Sequence, residues 1–183
     1  MNWTIPGTTL TDKRASADQV EEKFHSMFLA GGMVLSQVSS VTGLEAYTIQ
    51  NWVKRGFLAP PQNKRYDLEQ VCRIITINML KGALTLEKIC SMLQYINGDM
   101  ADTTDDIIDD AVLYFMFVKL AARARHIGGD QNWDDALAEA TASYVEPYPG
   151  ARERVVKVLR TMLMAWIASR FKVQVDEMVD SLK

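Results

Sequence analysis

Four polar side chains in the first half of this chain are spaced as a reading surface. Tyr47, Gln50, Asn51 and Lys54 fall three and four residues apart, on one side of a helix. Ile49, Trp52 and Val53, interleaved with them, point the other way. Amides such as Gln50 and Asn51 match the donor and acceptor on an adenine edge, while Lys54 and Arg55 suit phosphates. A second basic group, Lys64-Arg65-Tyr66, follows and offers two more phosphate partners in Lys64 and Arg65. Trp52 reads as the anchor of this helix rather than as a base-stacking group.

The elements around these residues must hold them in place. A short helix carrying Val38 and Val41, with Ser36 as its expected cap, stops at Thr42-Gly43. The second helix starts at once near Glu45. Two short helices joined by a tight glycine turn make a helix-turn-helix, whose second helix can enter a DNA major groove. Gly56 ends that helix, Phe57 and Leu58 anchor the chain, and Pro60-Pro61 stiffens the connection. A strand-like basic loop in this position is expected to form a wing. Asp67 should cap a third helix running to about Lys81, with Val71, Ile74, Ile75 and Met79 inward and Gly82 at its end. Thr85 should cap a fourth, burying Leu86, Ile89, Cys90 and Leu93.

This segment resembles the winged helix-turn-helix of the MerR family of bacterial transcription regulators. The resemblance rests on Ser36, Thr42-Gly43, Thr48-Ile49, Arg55-Gly56-Phe57-Leu58, Pro60-Pro61, Arg65-Tyr66 and Thr85-Leu86-Glu87-Lys88-Ile89, in that order and spacing. It implies that Ser36, Thr48 and Tyr66 join the DNA-facing set. Where MerR-type proteins usually carry Arg followed by two aromatics, this chain has Gln50-Asn51-Trp52, and Lys64 stands where Arg is usual. Losing Arg removes a forked contact to phosphate or guanine. The whole chain, with its helical and cysteine-free tail, resembles an uncharacterised bacterial family known only as a domain of unknown function.

Composition supports a folded chain and divides its charge. The 183 residues are 48% hydrophobic with a net charge of −3, which argues against disorder. Residues 34–93 hold seven basic and four acidic side chains, against ten basic and fifteen acidic from Gln94 onward. That asymmetry suits a DNA-reading half joined to a half that does not touch DNA.

Other chemistries find little support. Cys72 and Cys90 fall on apolar helical patterns and read as buried thiols, and no cysteine follows to form a metal sensor. His25 and His126 lack partners at ligand spacing. No phosphate loop or nucleophile motif occurs, so no enzyme, cofactor or metal is expected. The run Asp99, Asp102, Asp105, Asp106, Asp109 and Asp110 lacks the alternation of a calcium loop and reads as an acidic helix start. Neither a signal peptide nor a stretch of about 20 apolar residues is present, so a cytoplasmic protein without membrane contact is expected.

The remaining chain reads as helical. Residues 1–33 are expected to give an arm over Met1 to Leu10 and a helix from Ser16 to Ala30 with Val20, Phe24, Met27 and Phe28 on one face. Residues 34–97 form the winged module, and Asn97-Gly98-Asp99 marks a boundary. Residues 98–183 should form a helical domain for dimerisation. Its helices run from Thr103 or Thr104 to about His126, from Trp133 to Val145, and from Ala151 to Phe171, with a last turn or two over Val173 to Leu182. Gly128-Gly129 separates the first two.

The run Ala111 to Val118 is apolar on all sides and must be surrounded. That leaves three readings: the domain core, a homodimer contact, or a site for a small apolar effector among Tyr114, Phe117, Met162 and Trp166. The fold expected is all-α: an N-terminal winged helix-turn-helix of three to four helices plus a C-terminal helical domain. The function expected is that of a transcriptional regulator binding double-stranded DNA as a homodimer. The alternative is a protein-interaction adaptor that keeps the fold without binding DNA.

Overall fold

A helix buried on nearly every face needs neighbours on every side, and two such helices lie at the centre of this protein. The computed structural model describes residues 3–12, 16–98, 105–124 and 133–182. Among them are eight α-helices and four two-residue strands: β1 (Trp3–Thr4), β2 (Thr11–Asp12), α1 (Ala17–Phe28), β3 (Met33–Val34), α2 (Leu35–Thr42), α3 (Ala46–Lys54), β4 (Arg65–Tyr66), α4 (Leu68–Leu80), α5 (Leu86–Asn97), α6 (Asp110–Ala124), α7 (Trp133–Ala140) and α8 (Ala151–Asp180).

The central pair is α4 and α6. On α4 every residue from Val71 to Ile77 is buried, because α1, α2, α5, α6 and α8 surround it. The expected stripe of Val71, Ile74, Ile75 and Met79 is therefore only part of its buried surface. On α6, Leu113 to Val118 are all buried, packed against α1, α4, α7 and α8. Of the three readings of Ala111 to Val118, burial within the chain's own core accounts for every residue but Val112, which is 40% exposed. Phe24 of α1 meets Tyr114 and Phe115 of α6 with ring centroids 5.9 and 5.7 Å apart. Side chains from both sides of residue 97 share this continuous core.

Several ends differ from expectation. The stretch over Met1 to Leu10 includes β1, which pairs antiparallel with β2 and buries Trp3 and Ile5. Ser36 is not a cap: α2 starts at Leu35, and the Gln37 amide oxygen accepts the Val34 N–H at 2.9 Å. Thr103, Thr104, Asp99, Asp102, His126 and Gly128-Gly129 lie outside the described residues. The helix expected after them begins at Asp110, so Asp105 and Asp106 precede it rather than forming its first turn. The last two helical segments are one helix of 30 residues, α8. No helix among the described residues is long and apolar enough to cross a membrane.

Candidate functional site

The first half places two short helices and a ribbon around one groove. Val38 and Val41 pin α2 to the core, and Gly43 ends it with φ at 70°, a left-handed conformation that costs glycine nothing. Leu44 is buried in the turn and Glu45 precedes α3, whose Ile49 and Trp52 are buried. The end of α2 is held from two sides. Thr9 donates its backbone N–H to Val41 O at 2.8 Å, and Asn78 of α4 donates to both Thr42 O and Gly7 O at 2.9 Å.

After α3 the chain returns as β4, antiparallel to β3, with Met33 opposite Tyr66 and Val34 opposite Arg65. The tip is a two-residue turn. Asn63 and Lys64 both have positive φ, 48° and 62°, and the Arg65 N–H donates to Gln62 O at 2.8 Å. Two consecutive left-handed residues are what a tight hairpin turn requires. Lys64 is exposed at this tip.

Ser36, Gln50, Lys54, Lys64 and Tyr66 line one groove of about 710 Å³, completed by Val34, Leu35, Val53 and Pro61. Two lysines and no carboxylate border it, so its electrostatic sign is positive. Its floor is apolar. Tyr66 is a floor residue rather than an exposed reading group, being only 3% exposed, and burial raises its hydroxyl pKa.

The other candidates are spread around this groove. Tyr47 is 65% exposed, Asn51 is exposed and Thr48 is half-buried on the outer side of α3. Arg55 turns away from the groove. Its Nη2 lies 2.8 Å from Glu87 Oε1 of α5, and its guanidinium covers the Phe57 ring at 4.5 Å. Arg65 donates to Gly32 O at 2.8 Å, which braces the ribbon while leaving the side chain exposed.

The apolar floor escaped the sequence reading. Leu35 starts α2, Val53 lies on α3 and Pro61 precedes β4, so the packing of α2 on α3 and the pairing of β3 with β4 together assemble the floor. Val53, read as pointing away from Gln50 and Lys54, is half-buried beside them. The four residues considered for an effector are packing partners in the core. Phe117 meets Trp166 edge-on at 5.8 Å, Met162 is fully buried, and the buried Tyr114 hydroxyl donates to Pro6 O at 2.9 Å. Burial also drives the Cys72 thiol pKa well up, and both cysteines are free and buried.

A second polar cluster lies behind α4. Arg73 Nη1 sits 3.0 Å from Asp110 Oδ2, and Glu69 and Asp106 are pushed up to about 6, first by burial and then by neighbouring carboxylates.

A family model described as a domain of unknown function, DUF1836, matches residues 15–117. The chain belongs to the DUF1836 family. The matched region runs from the start of α1 into α6, so it contains the groove, α4 and the first part of α6 but not α7 or α8. A relative in Bacillus subtilis (strain 168), the uncharacterized protein YkrK, is 30% identical over 84 residues. That match covers 44% of this chain and 36% of YkrK, so the chain spans about a third of its relative's length. No solved structure matches the chain.

Proposed function

We propose that this DUF1836 protein binds double-stranded DNA through a winged helix-turn-helix of the MerR type and regulates transcription. The observation that carries the proposal is the groove. Gln50 and Lys54 of α3, Ser36 of α2 and Lys64 at the ribbon tip border one surface, and no acidic side chain lines it.

In this reading α2 and α3 are the helix-turn-helix, and the β3–β4 ribbon is the wing. Gln50 and Asn51 approach base edges, where an amide can pair with adenine. Lys54 and Lys64 meet phosphates on either side of the groove. Phosphate contacts hold the helix in register, and base contacts choose the sequence. Arg55 braces α3 against α5 through Glu87 and contributes to the positive field only indirectly.

A second reading is favoured by the floor of the same groove. Leu35, Val53 and Pro61 form an apolar surface that suits a protein partner as well as a sugar edge. The two readings separate on salt, because phosphate contacts release counterions and apolar contacts do not. Fluorescence anisotropy with labelled duplex from the regions flanking the protein's own gene tests the proposal. The expected result is binding that weakens steeply with salt and is tighter than to shuffled duplex. Absence of binding at low salt favours the adaptor.

A further inference from the structure

A cavity of about 430 Å³ lies between the segment leading into the ribbon, the start of α4, the end of α5 and the residues before α6. Four carboxylates border it, Asp67, Glu69, Asp106 and Asp110, against the single cation Arg73. Arg73 is taken by Asp110, at 3.0 Å. Among the described residues none of the other three carboxylates takes part in an ion pair. The negative charge is therefore left uncompensated, and burial together with the surrounding carboxylates pushes Glu69 and Asp106 up to about 6.

A cluster of carboxylates alone is usually a solvated face. Asn97, at the end of α5, sets this one apart. It lines the same cavity, is only 6% exposed, and its Oδ1 has no hydrogen-bond partner among the described residues. Buried polar groups in folded proteins are nearly always paired, and an amide oxygen taken out of water keeps its need for a donor. Asn97 and the Arg73–Asp110 pair are buried, Asp106 is half-buried, and Asp67 and Glu69 are exposed. Acceptors thus run from the inner wall of the cavity to its mouth.

We propose that this cavity binds a small organic cation, an aliphatic amine with two or more charged nitrogens. An ammonium group brings three donors and no acceptor, which is what carboxylates and an unpaired amide oxygen call for. Ala59, Pro60 and Leu93 offer apolar contact to the methylenes between the nitrogens. A bare metal ion fits less well, because among the described residues no three His, Cys, Asp or Glu side chains stand together as ligands. Charges spread along a short chain can reach carboxylates on separate walls. Arg73 already shows a nitrogen cation paired with one carboxylate of this cavity. The site is separate from the DNA reading, since Pro61 alone of its lining residues also borders the α2–α3 groove.

The test is isothermal titration calorimetry of the full chain with putrescine, at physiological ionic strength so that loose surface attraction is screened. Saturable binding at one site is expected, and the neutral diol of the same chain length should not bind. Glu69→Gln, Asp106→Asn and Asn97→Leu should each raise the dissociation constant by at least about tenfold, the usual cost of losing a hydrogen bond to a charged group. Circular dichroism melts show which variants are folded; Glu69 and Asp106 make no ion pair whose loss would unfold the chain. No saturable binding of putrescine, equal binding of the diol, or binding that the folded variants leave unchanged overturns the site. Magnesium that displaces putrescine and binds more tightly overturns the organic cation in favour of a metal ion.

Discussion

Arg73 of α4 and Asp110 at the start of α6 form an ion pair with both side chains largely buried, Nη1 to Oδ2 at 3.0 Å. The same guanidinium reaches Phe57 O through Nε at 3.4 Å. One side chain thus ties the segment that follows α3 to the helix at the centre of the fold. Burial raises the Asp110 pKa, and Arg73 pulls it back down. A buried pair adds little net stability over an apolar one, but breaking it leaves a charge without a partner.

Asp110→Asn should therefore destabilise the protein by about 3 kcal/mol, the usual penalty for orphaning a buried charge. Urea unfolding followed by circular dichroism measures it. The double variant Arg73→Met with Asp110→Leu should lose less than Asp110→Asn alone. A cost above that of the single variant would mean that the pair stabilises the fold outright.

The carboxylates beside this pair give a pH dependence of definite sign. Asp106 is raised from its ordinary range to about 6 by burial and by Asp110, Asp105 and Asp109, with Arg73 opposing. Its proton is held more tightly in the folded chain than in the unfolded one. The contribution is therefore full below about pH 4, where both states are protonated, and is lost as pH rises toward 6. Asp106→Asn should stabilise the chain at pH 7 by no more than roughly 1 kcal/mol, since the group is partly solvated. The gain should vanish below pH 4 in paired thermal melts. A gain that persists in acid would contradict the electrostatic cause.

How much of this was legible in the sequence depended on whether a feature has a period. Asp67 and Thr85 as caps, Gly43 as a stop, and Ile49 and Trp52 as anchors stand where residue types and spacing put them. β3 and the N-terminal hairpin were not legible, because strands of two residues have no alternation to read. Arg73 counted as one more basic charge toward DNA, yet it faces α6, a partner 37 residues away that no local pattern reveals. The apolar floor of the groove escaped for the same reason. On α8 the buried residues end at Trp166 although the helix runs on to Asp180, and reading the apolar stretch as the whole helix put the break at Phe171.

The ribbon tip allows stability to be separated from DNA contact. Lys64 has φ of 62°, a conformation costing a residue with a Cβ about 1 kcal/mol and glycine almost nothing. Lys64→Gly should raise the melting temperature slightly and weaken duplex binding in the same preparation. If binding is unchanged in this variant, Lys64 does not meet phosphate and the wing has no part in DNA contact.

The central claim is that Lys54 and Lys64 hold the phosphates on either side of a helix that Gln50 and Asn51 read with. Its most direct test is the salt dependence of duplex binding for the parent and for Lys54→Ala with Lys64→Ala. Each phosphate contact contributes about 0.9 to the slope of log K against log salt, so the double variant should lose roughly 1.8 from that slope on any duplex. Gln50→Ala should keep the parent's slope and cost roughly 1–3 kcal/mol on the preferred site alone. If the parent binds no duplex at low salt, or if the double variant keeps the parent's slope, this groove is not a DNA-binding surface.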